Sequence, residues 1–153
     1  MVTRDQAWSL LNEYMSNRNL IKHGLAVEAA MRAYARRFGE DEDLWGIVGL
    51  LHDFDYERYP DMARHAAAGA AILAERGYPS QVVHAVRAHN PATGEPRTTR
   101  LDRALFAVDE LTGLIVAVAL VRPTKSVLDV DVAAVRRKWH DGAFARGANR
   151  AEI

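Results

Sequence analysis

The sequence predicts an all-α protein, a single-domain helical bundle of about seven helices. Three observations predict this class. Apolar residues recur every three or four positions through almost the whole chain, and no segment shows a convincing strand-like alternation. Most apolar segments follow a polar N-capping residue and precede a glycine or a proline. The 153 residues are enough to bury a core without disulfide bonds.

Capping and stop residues fix the expected ends of each helix, because side-chain oxygens cap N-termini and glycine or proline ends a helix. In chain order the predicted helices run from Thr3 to about Met15, Asn19 to Gly39, about Glu42 to Phe54, Asp61 to near Gly77, Ser80 to near His89, Thr99 to about Val121, and Val130 to Trp139. The loop from Asn90 to Arg97 carries two prolines and a glycine and separates the fifth helix from the sixth. Pro123 ends the sixth, and a short turn around Phe144 to Asn149 is expected after the last.

Apolar stripes identify the buried faces of these helices. The inner faces are predicted at Ala7, Leu10, Leu11 and Tyr14 in the first helix, at Leu20, His23, Val27, Ala30, Met31 and Tyr34 in the second, and at Leu101, Leu105, Val108, Thr112 and Ile115 in the sixth. The third helix is apolar from Leu44 to Leu51, so the residues that follow it are delivered to the interior. The whole chain, 1–153, is expected to form one domain with a core at 19–121 and a C-terminal extension at 122–153.

Composition excludes several classes of function. The 20 basic and 20 acidic residues leave no net charge to attract a nucleic-acid polymer or an anionic membrane. The absence of cysteine removes thiolate metal sites and disulfides and fits a cytoplasmic protein. The N-terminal segment is polar and lacks a signal-peptide core, and the apolar stretch Leu114–Val121 is far shorter than the roughly 20 residues of a membrane span. The exposed side of that stretch could be buried in a homodimer.

The pair His52-Asp53 is the strongest candidate for a functional site, because it closes the apolar third helix. Further candidate metal ligands are His23, on the apolar stripe of the second helix; His65, in the first turn of the fourth; His89, at the end of the fifth; and Asp109, on the buried side of the sixth. A buried carboxylate is costly unless a cation or hydrogen bonds compensate it. A second pair, His140-Asp141, follows a charged segment and is expected at the surface.

These segments resemble the HD domain superfamily of metal-dependent phosphohydrolases. The resemblance rests on His23, on His52-Asp53 after its apolar helix, and on Asp109 within Val108-Asp109-Glu110-Leu111, and it spans about Asn19 to Leu120. Members with two metals place two further histidines between the pair and the last aspartate, and His65 and His89 fit those positions. His84 is a rival for the second position, but on a helix it points roughly 140° away from His89. Asp53 could bridge two metals, since a carboxylate can offer one oxygen to each.

The resemblance implies hydrolysis of a small phosphorylated metabolite or nucleotide, by a phosphomonoesterase or phosphodiesterase that activates water with one or two divalent ions. Imidazole and carboxylate ligands suit Fe, Mn, Co, Ni or Zn. Catalysis would depend on His52 and Asp53. Phosphate contacts are expected from the basic residues of the tail, Lys125, Lys138, Arg146 and Arg150.

Several alternatives stay open at this stage. The protein could be a diiron oxygenase of the same superfamily, or a module that binds a metal or nucleotide without turnover. His52-Asp53 could be a hydrogen-bonded helix end, His65 a solvated helix start, and His89 a cation at a helix C-terminus. The charged residues after the pair, Asp55, Glu57, Arg58 and Asp61, form either a polar rim or a solvated loop, and the second is the commoner arrangement.

Overall fold

The computed structural model describes residues 2–153, and within that range the chain is helical and contains no strand. The all-α prediction is therefore confirmed. The seven α-helices of the described residues are α1 (Arg4–Tyr14), α2 (Arg18–Phe38), α3 (Glu42–Leu51), α4 (Ala67–Glu75), α5 (Ser80–His89), α6 (Arg100–Leu120) and α7 (Val132–Trp139). Short 3-10 turns occupy Pro91–Thr93 and Val127–Asp129.

The helices belong to two compact units. The first ends at Leu105 and holds α1 to α5 and the start of α6. The second is Phe106–Ile153 and holds the rest of α6 and α7. The prediction of one domain with a core at 19–121 stays a prediction.

The predicted helix starts agree with the structure where a side chain closes the first turn. Thr3 accepts a hydrogen bond from the backbone of Gln6, whose side chain accepts one from the Thr3 backbone in return. Thr99 and Asp102 exchange the same pair of bonds at the start of α6. The cap of α2 is Asn17 instead of Asn19, because the Asn17 side chain accepts from two backbone N–H groups of the first turn. Ser80, expected to cap α5, is its first residue, and Pro79 precedes it as the cap. Helix α7 begins at Val132, two residues after the predicted Val130.

The largest difference lies between α3 and α4. The helix predicted to reach Phe54 ends at Leu51, and the helix predicted after Asp61 begins at Ala67. The intervening residues form a run of turns, in which backbone N–H groups bond three or four residues back, as from Tyr56 to Asp53. His65 therefore precedes α4 and does not lie in its first turn. Ala66, with φ of +66°, marks the break because few residues other than glycine adopt that backbone.

Helices α2 and α3 pack with their backbones in contact. A Cβ atom at Gly49 would lie 2.9 Å from the backbone of Glu28 and of Val27, and one at Gly24 would lie 3.1 Å from the carbonyl oxygen of Leu50. The glycines therefore admit a separation that no other residue allows. This approach holds the C-terminal end of α3, and with it His52, against α2.

Apolar exposure is concentrated in the second unit. Leu114, Val118 and Ala119 of α6 are buried, whereas Val116, Leu120 and Val121 are exposed. The prediction that a homodimer covers this side stays a prediction. Among the described residues, no helix combines the length and the apolar character that crossing a bilayer requires.

Replacing Gly49 by alanine is expected to lower the free energy of unfolding by about 1–3 kcal/mol, because the new methyl group must push α2 and α3 apart. Gly113 is the matched control. It lies inside α6 with nothing within 4 Å of its Cβ position, so Gly113→Ala should raise the free energy of unfolding by about 0.5–1 kcal/mol. Urea unfolding of the two variants measures both changes. Equal effects of the same sign would mean that the close approach does not limit position 49.

Candidate metal centre

Four histidines and one aspartate of the first unit lie together. His52 caps the C-terminus of α3 and Asp53 follows it, while His89 is the last residue of α5. His23 extends from α2, and His65 comes from the turns that precede α4. The first unit thus contains five of the six residues predicted as metal ligands, and these five lie together.

The Asp53 carboxylate divides this cluster into two halves. Its Oδ2 atom lies 3.3 Å from His52 Nε2 and 3.7 Å from His23 Nε2. Its Oδ1 atom lies 3.1 Å from His65 Nε2 and 3.2 Å from His89 Nε2. Within each half the two Nε2 atoms are 3.2 Å apart. One carboxylate oxygen therefore faces each pair of histidines.

Backbone carbonyl groups fix the orientation of two of the imidazoles. The Nδ1–H of His52 donates to the Gly49 carbonyl at 2.8 Å, and the Nδ1–H of His89 donates to the Val86 carbonyl at 2.5 Å. A carbonyl oxygen can only accept, so the hydrogen of each neutral ring stays on Nδ1 and the lone pair lies on Nε2. These lone pairs point toward a carboxylate, an arrangement that requires a cation or additional protons between them.

Asp55 fixes the third imidazole, and sequence analysis missed this role. The residue is fully buried, not part of a solvated loop as its charged neighbours suggested. Its Oδ1 accepts a hydrogen bond from His65 Nδ1 at 2.9 Å, and its Oδ2 accepts from the backbone N–H groups of Ala66 and Gly69 at 2.9 Å each. A Cβ at position 69 would lie 2.9 Å from the Asp55 carboxyl carbon, so only glycine admits the carboxylate. A glycine within an alanine run was the one signal in the sequence.

The turn that carries His65 is also tied to the end of α5. The Asn90 side-chain amide donates to the carbonyl groups of Met62 and His65, at 2.9 and 3.0 Å. Because Asn90 directly follows His89, one residue couples the segments that carry the two histidines. The unusual backbone of Ala66 is held in place by these bonds and by its own N–H bond to Asp55.

Exposure within the cluster is confined to two residues. The side chains of His52, His65 and His89 are almost entirely buried, whereas those of His23 and Asp53 are 27% and 21% exposed. A small molecule can therefore approach the cluster past His23 and Asp53.

Charge and hydrogen bonding shift the pKa values of two residues of the cluster, Asp53 and His65. Burial favours a neutral Asp53, but the positive charge of His52 and hydrogen bonds from His52, His65 and His89 outweigh it and hold the pKa of Asp53 well below its usual range. Burial lowers the pKa of His65, yet hydrogen bonds to Asp53 and Asp55 and their negative charges raise that pKa to about 9. A metal ion that binds at neutral pH therefore competes with the proton of His65.

The donor set fits divalent transition metals. Asp53, His65 and His89 each offer a ligand atom, and these atoms lie within 4.8 Å of one another. His23 and His52 face the second oxygen of Asp53 at the distances given above. Imidazole nitrogen and carboxylate oxygen, without sulfur, suit Fe, Mn, Co, Ni or Zn. The residues of the chain can therefore hold a divalent metal.

The remaining predicted site residues lie in the second unit. Asp109 is half-buried on α6, and its carbonyl accepts a hydrogen bond from the Thr112 hydroxyl. Its role as a ligand stays a prediction.

The predicted role of the four basic tail residues in binding phosphate also stays a prediction. Lys125 and Arg146 are exposed. Lys138 pairs with Asp141 at 3.7 Å, and its ammonium lies over the Phe144 ring. The Arg150 guanidinium donates to six backbone carbonyls of the C-terminal turns, a structural use of its donors.

The other two histidines lie outside the cluster. His84 contacts Glu95 and Asp102 at the N-terminal half of α5, and His140 is exposed at the end of α7. The preference for His89 over His84 as the neighbour of His65 agrees with this placement.

An all-helical fold that gathers four histidines around one aspartate carboxylate defines a class of helical domains able to hold metal ions. The family model described as HD domain matches residues 20–114, more than half of the chain. The chain belongs to the HD domain family. The comparisons with curated proteins and with solved structures found no match.

The metal-free protein is expected to lose stability as the pH rises from about 6.5 to about 9. The folded-state pKa of His65 lies above its unfolded-state value, so this contribution is complete below pH 6.5 and is gone above the folded-state pKa. The fall should be on the order of 3 kcal/mol. Urea unfolding of chelator-treated protein across this range measures it. His65→Gln should flatten the profile and His140→Gln should not; a profile that His65→Gln leaves unchanged would contradict the assignment.

Proposed function

We propose that the protein is a metal-dependent phosphohydrolase, a phosphomonoesterase or phosphodiesterase that acts on a small phosphorylated metabolite or nucleotide. Membership of the HD domain family supports the reaction class. One observation of this chain supports a centre for two ions: the two oxygens of Asp53 face two separate pairs of histidines.

In this proposal His23 and His52 would hold one ion, His65 and His89 would hold the other, and Asp53 would be a ligand in both halves. Asp109 is proposed as a further ligand. Divalent ions at such a site activate water for attack on phosphorus and offset the negative charge of the phosphoryl oxygens.

The residues of the chain supply orientation and access. The Nδ1–H bonds of His52 and His89 and the Asp55 bond of His65 hold three imidazoles with Nε2 toward Asp53, which reduces the reorganisation that ion binding requires. Buried neighbours keep water from three of the histidines, while the exposed edges of His23 and Asp53 leave a path for a phosphate group. Lys125, Lys138, Arg146 and Arg150 stay proposed as phosphate contacts.

The phosphatase proposal predicts that His52→Ala and Asp53→Ala each abolish metal-dependent hydrolysis while the fold survives. The first change removes one histidine of a pair, and the second removes the carboxylate that lies between the two pairs. Release of nitrophenol from p-nitrophenyl phosphate and from its bis ester, with added Mn²⁺, Co²⁺, Ni²⁺ or Zn²⁺, measures the activity, and circular dichroism checks the fold. His140→Ala, in the exposed second His-Asp pair, is the control and should keep full activity. Activity that persists in both cluster variants would refute the proposal.

Two further measurements distinguish hydrolysis from oxygenation and from binding without turnover. Consumption of oxygen by protein that was purified anaerobically and loaded with iron would assign a diiron oxygenase, since a hydrolase needs no oxygen. Tight binding of metal or nucleotide, with no product from any phosphoester, would assign a binding module.

The two-ion arrangement predicts a loss of about one metal equivalent in His89→Ala, because one half of the cluster keeps only His65 and one Asp53 oxygen. His84→Ala is the matched control on the same helix and should keep the metal content of the unaltered protein. Each variant is dialysed against the same limiting concentration of a divalent metal ion, and metal analysis then measures the amount of metal bound per chain. If the two variants hold the same amount, the second half of the cluster does not bind an ion.

A further inference from the structure

One side of α7 is exposed along the length of the helix. The residues on it are Val132, Ala133, Arg136 and Arg137, whereas Ala134 between them is buried. Residues three or four positions apart lie on the same side of an α-helix, so the four exposed residues form one face. We call it the α7 face. It belongs to the second unit and shares no residue with the metal cluster of the first.

The 3-10 turn before this helix adds exposed apolar surface. Its residues Val127 and Leu128 are 53% and 91% exposed, and Val132, at the first position of α7, is 68% exposed. A leucine with this exposure adds almost nothing to the core of its own chain. Neighbouring apolar side chains left in water are typical of a surface that a partner covers, because burying them stabilises the complex.

Two charged side chains of the same surface have no partner within the chain. Asp129 of the 3-10 turn and Arg136 of α7 are exposed, and neither side chain makes a hydrogen bond or an ion pair with any residue that the structure describes. Asp131 differs, because its carboxylate caps α7 and accepts the N–H of Ala134 at 2.7 Å. The Asp129 carboxylate and the Arg136 guanidinium are therefore available to a second molecule.

The positions of these residues are symmetrical about the midpoint between Val132 and Ala133. Asp129 comes three residues before Val132, and Arg136 comes three residues after Ala133. In an isologous interface the same surface of two copies pairs in opposite directions, so that residue i contacts residue j and j contacts i. With the two-fold axis at this midpoint, Asp129 of each copy lies opposite Arg136 of the other. The apolar residues then meet at the centre, and an ion pair forms on either side of them.

From this pattern we infer that a second copy of this chain docks on the α7 face and the 3-10 turn, antiparallel to the first. The apolar pattern of the sequence predicts a homodimer at Leu114–Val121, but that stretch carries no charge to set a register. An anionic membrane is a poorer partner, because residues 127–137 contain two acidic and two basic residues and no net charge draws them to it. The inference does not depend on the proposed hydrolysis.

The interface is small, so the dimer should be weak. The eight residues of α7 span about 12 Å, and interfaces of this size belong to transient complexes. We expect a monomer–dimer equilibrium with a dissociation constant on the order of 10 µM. Sedimentation equilibrium of the full chain, with a chelator present so that no metal bridges two copies, measures it over concentrations from about 1 to about 500 µM.

Val132→Glu tests the centre of the interface. It places two carboxylates at the two-fold axis and should weaken dimerisation at least about tenfold. The fold should survive, because the residue is exposed and an acidic side chain in the first turn of a helix is favourable. Val116→Glu is the matched control, since Val116 is an exposed valine of α6, and it should leave the dimer unchanged. Circular dichroism checks the fold of both variants.

Charge reversal tests the register independently. Asp129→Lys and Arg136→Glu each place like charges opposite one another and should weaken self-association at least about fivefold. An equimolar mixture of the two variants should associate as the unaltered protein does, because every charge then faces one of opposite sign. Neither change removes a bond within the chain, so the recovery can come only from contact between two copies.

Four results would overturn the inference. They are a monomer at every concentration, a dimer that Val132→Glu leaves intact, a dimer that Val116→Glu abolishes, and a mixture of the charge variants that associates no better than either alone. A monomer that instead sediments with vesicles of phosphatidylserine and phosphatidylcholine would assign the surface to a membrane.

Discussion

The shared carboxylate of Asp53 is the interaction on which the candidate metal centre depends. It places one oxygen before His23 and His52 and the other before His65 and His89. Without a cation, the Nε2 lone pairs of four histidines repel the carboxylate unless protons lie between them. For this reason the pKa of His65 is raised and the pKa of Asp53 is lowered. The cluster therefore favours bound positive charge, and protons and metal ions compete for the same ligand atoms.

The rigidity of this cluster comes from residues that are not themselves candidate ligands. Asp55 holds His65 and at the same time accepts two backbone N–H groups at the start of α4. These bonds stabilise the positive φ of Ala66, which alone would cost about 1–3 kcal/mol. Gly69 leaves the space for the carboxylate, and Asn90 ties the same turn to α5. The strain beside His65 is therefore offset by the network that orients its ring.

Sequence patterns predicted those parts of the site that depend on regular helices. The apolar run of α3 placed His52 and Asp53 at its end, and the position of His89 followed from the proline after α5. The apolar stripe of α2 predicted that His23 faces inward. These inferences need only the helical period and the local stop signals, which are properties of a few neighbouring residues.

The remainder depends on tertiary contacts and could not be derived locally. Residues 52–66 contain Asp55 and His65 and form no helix, because buried hydrogen bonds to distant residues override their helical pattern. Nothing near Asp55 in the sequence distinguishes it from the exposed charges that follow it. The Gly69 that accommodates it lies fourteen residues away, and only the folded chain relates the two positions.

The ends of α3 and α5 explain why a metal centre forms where it does. The last four carbonyl groups of an α-helix have no partner within the helix, and they carry the negative end of the helix dipole. Gly49 and Val86 supply such carbonyls, and each accepts the Nδ1–H of the histidine three residues later. The free backbone of each helix end thus orients a ligand, and its dipole favours the cation that the ligands would hold. At the opposite end of α3 the free backbone N–H groups are instead capped by a carboxylate, that of Asp41.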